Sequence, residues 1–132
     1  MSPRAIAVYE FPVDALDDPM RQVLPIKIPL ERKLFSLAEG EVVEFPIMLD
    51  PPDYPLPVYV TVRIYSSAGH LVRTLVEDEP MLLSAEPTRI AWDWRNDGGG
   101  VVPAGIYVVA VSGGAGNGTS KNTAKASFAI AR

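Results

Sequence analysis

Apolar and polar residues alternate with a period of two along much of this chain, the spacing of strands rather than helices. In EVVEFPIML, residues 41–49, Val43, Phe45, Ile47 and Leu49 share one face, and Val42, Glu44, Pro46 and Met48 share the other. Proline cannot donate to a ladder, so Pro46 places this strand near an edge. Residues 58–65 alternate without interruption. Val58, Val60, Val62 and Ile64 point to a core, and Tyr59, Thr61, Arg63 and Tyr65 point outward, as in one layer of a sandwich. Ser66-Ser67-Ala68-Gly69 reads as a hairpin turn in which Gly69 supplies positive φ, and HLVRTLV, residues 70–76, returns as the partner strand. Residues 77–80, EDEP, read as an acidic loop, with another strand opening over residues 81–83. In RIAWDW, residues 89–94, Ile90, Trp92 and Trp94 alternate with Arg89, Ala91 and Asp93. A strand opens at Gly105, and a last one covers residues 123–131 with Ala126, Phe128 and Ile130 on one face.

The first forty residues are patterned less regularly. Residues 5–13 predict a strand with Ile6, Val8 and Glu10 on one face and Ala7, Tyr9 and Phe11 on the other. Residues 14–20 carry three acids and a proline and read as a turn or one short helical turn. VLPIKIPL, residues 23–30, alternates but holds Pro25 and Pro29, which suits an edge strand or an extended arm. Leu24, Ile26, Ile28 and Leu30 are its candidate contact residues, laid either along a neighbouring chain or over an edge of their own domain. Residues 32–40 read as a helical turn or an irregular crossing. The expected division is therefore an N-terminal extension over 1–40 and an all-β antiparallel sandwich over 41–132.

Composition agrees with one globular unit. With 132 residues the chain can bury a core without cross-links or a structural metal, and thirteen prolines and ten glycines punctuate its short apolar runs. A net charge of −4 and 48% hydrophobic residues argue against disorder and against a nucleic-acid partner. Cysteine is absent, which removes disulfides, thiolate metal sites and cysteine nucleophiles. No apolar run is long enough to span a membrane, and residues 5–9 are too short for a signal-peptide core, so no cleavable leader is visible.

Candidate chemistry is sparse. His70 is the single histidine and sits beside a turn with no nucleophile near it in sequence, so it reads as a solvated turn residue. Asp14, Asp17 and Asp18 lack calcium-loop spacing. Three consecutive glycines, 98–100, have no following Lys-Ser/Thr and no helix to cap, so a phosphate loop is discarded. Asp93, Asn96 and Asp97 could cage a cation, but bonding to the turn backbone explains them more simply. Trp94 with Tyr59 is the alternative candidate, an exposed stacking platform for a carbohydrate or other ligand. Asn117-Gly118-Thr119 matches a glycosylation triplet. No constellation supports an enzyme, and no cofactor or metal is expected.

The ordered set VTVRIYSSAGHLVRTL and AWDWRNDGGGVVPAGIYVVAV resembles the immunoglobulin-like domain of the bacterial flagellar hook-capping protein, which also occurs as a C-terminal module of many secreted bacterial proteins. The resemblance covers roughly residues 41–131 and rests on Ile64, Tyr65, Gly69, Leu71 to Leu75, Trp92, Asp93, Pro103, Gly105 and Tyr107. The family's usual Asp after Ile-Tyr is Ser66 here, and residues 1–40 match nothing in it. The resemblance implies an immunoglobulin or fibronectin-III-like sandwich and a non-catalytic role in assembly at the bacterial surface or outside the cell. Its implied partner is protein, either copies of itself in a homo-oligomer or a larger assembly, met through sheet edges and the N-terminal arm. Hook capping itself is not implied, because the region that would engage the hook is not recognisable.

Overall fold

The computed structural model describes residues 25–38, 40, 42–51, 54–114 and 122–132. The strand expected over residues 5–13, the acidic turn after it, Leu24 and the glycosylation triplet lie outside the described residues. Eight strands are described: β1 (Ile26–Lys27), β2 (Leu34–Ser36), β3 (Val43–Leu49), β4 (Leu56–Ser66), β5 (Leu71–Leu83), β6 (Thr88–Trp92), β7 (Gly105–Gly114) and β8 (Asn122–Ala131). They form two sheets, one of order β1-β3-β6 and one of order β2-β8-β7-β4-β5. The chain is an all-β sandwich.

The alternation read from sequence places the core correctly. Val43, Phe45, Ile47 and Leu49 from one sheet and Val60, Val62 and Ile64 from the other are fully buried, with Val58 nearly so. Trp92, Phe45, Tyr107 and Phe128 make an aromatic centre between the sheets. Phe45 and Phe128 lie 5.1 Å apart between centroids, and Trp92 meets Phe128 edge-on at 6.1 Å. Edge-on and tilted rings align the positive ring edge with a neighbouring π face, and each such pair adds roughly 0.5–1.5 kcal/mol beyond area burial. The buried indole N–H of Trp92 donates to the Arg95 carbonyl at 2.9 Å, so the ring enters the core without an orphaned donor.

Three elements differ from expectation. Residues 77–80 are not a loop but the middle of β5, a thirteen-residue edge strand. Pro80 is tolerated because, among the described residues, the outer side of that strand has no ladder to feed. Register shifts against β4 occur between Val60 and Arg63, and Asp78 sits at φ 48° with its N–H donating to Thr61 Oγ1 at 3.0 Å. This irregularity covers Thr61, which is therefore buried although it faces outward. Residues 34–36 are a strand, not a helical turn, and β2 runs parallel to β8, so the sandwich is not wholly antiparallel. The parallel pair arises because the chain switches sheets between β1 and β2.

The described part of the N-terminal extension is built into this sandwich. β1 pairs with β3 through Ile26–Leu49 and Lys27–Met48, and β2 supplies Phe35 to the core. Ile26 is 9% exposed, and Ile28 and Leu30 pack against the buried cluster. The candidate arm residues Ile26, Ile28 and Leu30 are thus held by their own domain. Because β1 spans only Met48 and Leu49 on its partner, Pro46 has a strand on the β6 side alone, which explains how a proline fits mid-strand.

Candidate interaction site

The residues that carry the sequence resemblance gather at one end of the sandwich. Tyr65 pairs with Leu71 across the β4–β5 turn and with Val108 on β7, and Ser66 pairs with Tyr107. Gly69 closes the turn at φ +90°, a conformation that an L side chain adopts only at a cost. Ile64, Trp92 and Tyr107 are buried, whereas Asp93, Pro103 and Gly105 are exposed around them. The Tyr107 hydroxyl donates to the Pro103 carbonyl at 2.7 Å and ties the start of β7 back to the preceding loop. Burial raises the phenol above its ordinary value, against an opposing effect of Arg132. These residues are a frame, and their chemistry is that of hydrogen bonding and packing.

The loop over residues 93–103 is fixed to β5 by its carboxylates. Arg73 Nη1 lies 3.0 Å from Asp93 Oδ1 and 3.1 Å from the Arg95 carbonyl, and its Nε lies 3.8 Å from Asp97 Oδ1. Asp97 also donates its N–H to the Val72 carbonyl at 2.9 Å and accepts the Thr74 N–H at 3.1 Å. The Asn96 side chain accepts the Gly100 N–H at 2.9 Å, and Gly99 takes φ +90°. Asp93 and Asn96 are thus bonded to the turn backbone through the Arg95 and Gly100 N–H groups, whereas the Asp97 side chain reaches β5 and Arg73. Among the described residues no group of three His, Asp or Glu side chains is placed to hold a metal ion. His70 is exposed in the hairpin turn, its carbonyl accepting the Ser66 N–H at 2.9 Å. Sequence reading missed Arg73 as the hub, since its partners lie twenty and more residues away.

Trp94 and Tyr59 do not form a stacking platform. Trp94 is 9% exposed, sits at φ 68° and stacks on Trp92 at 6.2 Å, so it is largely buried against the core. Tyr59 pairs with Gly114 and Pro80, toward the opposite end of β4. Turning Trp94 inward closes the end of the core, which an outward ring would leave open. Beside it an open apolar groove of about 610 Å³ runs between Leu37, Val42, Leu75, Ala91, Trp92 and Trp94.

A second apolar surface lies on the outer face of the five-stranded sheet. Leu34, Ala129 and Ile106 are paired in one row across β2, β8 and β7. Leu34 is 57% and Ile106 58% exposed. Tyr65 and Leu71 flank this row along the adjacent strands, and Leu71 is half exposed.

The fold has a counterpart among solved structures. Part of dimeric latent PorU from Porphyromonas gingivalis is similar to this chain, with a TM-score of 0.51 and 23% identity over 69% of this chain. The match covers 8% of the PorU chain, so the likeness is to a small piece of a much longer protein. It is a likeness of fold. No family model matches the chain, and no curated protein does.

Proposed function

We propose that this chain is an immunoglobulin-type sandwich of the hook-capping kind and serves as a non-catalytic assembly module at the bacterial surface or outside the cell. Two features support the immunoglobulin type. The N-terminal strands are split between the sheets, and Tyr107 at the start of β7 bonds back to Pro103, as the corner tyrosine of such domains does. The observation that carries the assembly role is the row in which exposed Leu34 and Ile106 flank half-buried Ala129. Large apolar side chains lined up on a sheet face exclude water when another surface covers them, and such patches mark protein contacts. The contact surface in this reading is that face, with further copies of the chain as its first partner.

Light scattering of the purified full chain across a concentration series tests the reading, with the Leu34→Glu/Ile106→Glu double variant beside it. The expected result is a mass that rises with concentration for the parent and stays at one chain for the variant. A parent that is monomeric at every concentration, or a variant that assembles equally well, overturns self-assembly through this face.

A further inference from the structure

The sheet edges are not equally protected. Among the described residues, β1 and β2 expose edges of only two and three residues. β5 is guarded: Asp97 bonds the backbone at Val72 and Thr74, and beyond lie Glu77, Asp78 at φ 48°, Glu79 and Pro80. Charges, irregular backbone and proline all resist the approach of another strand. β6 has none of these devices. It offers five residues with Arg89 as their single charge, and among the described residues it pairs with β3 alone. The ladder fixes which of its backbone groups are free. On β3 the Leu49 N–H donates to the Ser84 carbonyl, just ahead of β6, while the Asp50 N–H turns the other way to the Pro25 carbonyl. Alternation then makes Phe45–Ile90 and Val43–Trp92 the mutually bonded pairs, and the N–H and C=O groups of Arg89 and Ala91 point away from β3.

We propose that β6 is a second contact between copies of this chain, in which two β6 strands pair antiparallel about a two-fold axis at Ile90. Backbone and side chains together select this register. Faces and free backbone groups both alternate along the strand, so the axis can lie at Arg89, Ile90 or Ala91. At Arg89 it sets two guanidinium groups opposite each other, which repel. At Ala91 it sets Arg89 opposite Asp93, whose carboxylate already accepts from Arg73 and from the Arg95 N–H. At Ile90 it pairs Arg89 with Ala91 of the second copy on both sides of the axis, and every free backbone group of these residues is bonded. Charge is complementary in this register. Glu44 lies beside Ala91 on β3 and Pro46 beside Arg89, so each row across the junction runs Pro46, Arg89, then Ala91 and Glu44 of the second copy. The small Ala91 leaves the guanidinium a path to a carboxylate whose backbone is two strand spacings, or about 10 Å, away. Arg89 and Glu44 are exposed, and among the described residues neither side chain has a bonded partner in its own chain. On the inner face Ile90 is half-buried at the rim of the core and meets its own counterpart across the axis. The contact is short and falls among weak encounters, with a dissociation constant on the order of millimolar. It acts where copies are already crowded, does not depend on the outer-face contact, and lies above the concentrations at which light scattering reads that face.

The chain has no cysteine, so introduced cysteines report the register without background. Each is placed in the full-length Leu34→Glu/Ile106→Glu chain, which keeps the outcome independent of the outer face. Disulfide-linked dimer is followed by mass in a glutathione buffer at about millimolar protein. Ile90→Cys sets two thiols directly opposite, at a separation that a disulfide spans, whereas Ala91→Cys sets them two residues out of step. Ala91 is the more exposed position, so random collision favours it. Ile90→Cys is nevertheless expected to cross-link at least about tenfold faster. Adding Arg89→Glu should slow it at least about fivefold by facing Glu44 of the second copy with a like charge, and Glu44→Arg on top of that change should restore it. A mixture of Arg89→Cys and Ala91→Cys chains, both substituted at exposed positions, should link to each other faster than to themselves, which keeps the register testable if Ile90→Cys does not fold. Ala91→Cys linking as fast as Ile90→Cys, or a mixture without preference for the mixed dimer, overturns the proposal. A charge reversal that Glu44→Arg does not rescue also overturns it, by removing Glu44 from the row.

Discussion

Seating of β1 on the core turns on a single glycine, and substituting it measures how firmly the N-terminal strand belongs to the sandwich. A Cβ at Gly113 would lie 2.6 Å from Ile26 Cδ1 and 2.8 Å from Val58 Cγ1, inside contact distance for both. Gly113→Ala therefore overfills a packed site and should cost about 1–3 kcal/mol. Ile26→Ala removes a side chain that is 9% exposed at a short edge strand. Its cost belongs at the lower end of the range for such truncations, about 2–3 kcal/mol. The two changes address the same space from opposite sides, since the new methyl enters room that truncation vacates. Their combination should cost about 1–2 kcal/mol less than the sum of the singles. Urea unfolding of the four proteins gives these values, with the slope unchanged if the folded state keeps its compactness. Gly113→Ala within about 0.5 kcal/mol of the parent, with strict additivity, would refute the reasoning. Ile26 would then be free to leave its site, and the segment would behave as an arm.

Tyr107→Phe should cost about 0.5–1.5 kcal/mol at neutral pH through loss of the bond to Pro103. It should also alter the alkaline limb. The folded-state phenol is raised above its unfolded value near 10, so its contribution is complete below that pH and is lost as pH rises through the folded value. Chemical denaturation between pH 8 and 12 should therefore show a decline in the parent that the Phe variant lacks. Asp97→Ala removes the acceptor for Thr74 N–H and a partner of Arg73, which is itself partly exposed. A loss of about 1 kcal/mol is expected, as for a modest hydrogen bond with a weak surface ion pair. Freeing the Thr74 N–H on β5 should also raise turbidity on warming, which light scattering would register.

Much of the fold is legible in the sequence, for a local reason. Strand faces repeat every two residues, so Val43 to Leu49 and Val58 to Ile64 declare which side is buried before any partner is known. Gly69 and the Asn96–Gly100 turn are equally local, since φ preference and side-chain bonding to nearby backbone act within a few residues. The acidic stretch at residues 77–80 reads as a loop because its charges and proline signal one, and it lies in a strand because β5 has no outer neighbour among the described residues. Trp94 was placed outward as an alternative because alternation says nothing about a backbone that turns to φ 68° and folds the ring onto Trp92.

What sequence alone determined is thus the inward faces of β3, β4 and β8 and the turns at Gly69 and Asn96–Gly100, all fixed by interactions among residues close along the chain. Tertiary structure decided the rest: that Ile26 seats against Val58 and Gly113, that β2 crosses to lie parallel to β8, and that Arg73 gathers Asp93 and Asp97. It also decided which edges are guarded and which apolar rows stay in water. These depend on pairings between segments tens of residues apart, whose register is set by the packing of the whole sandwich and leaves no periodic trace in either segment alone.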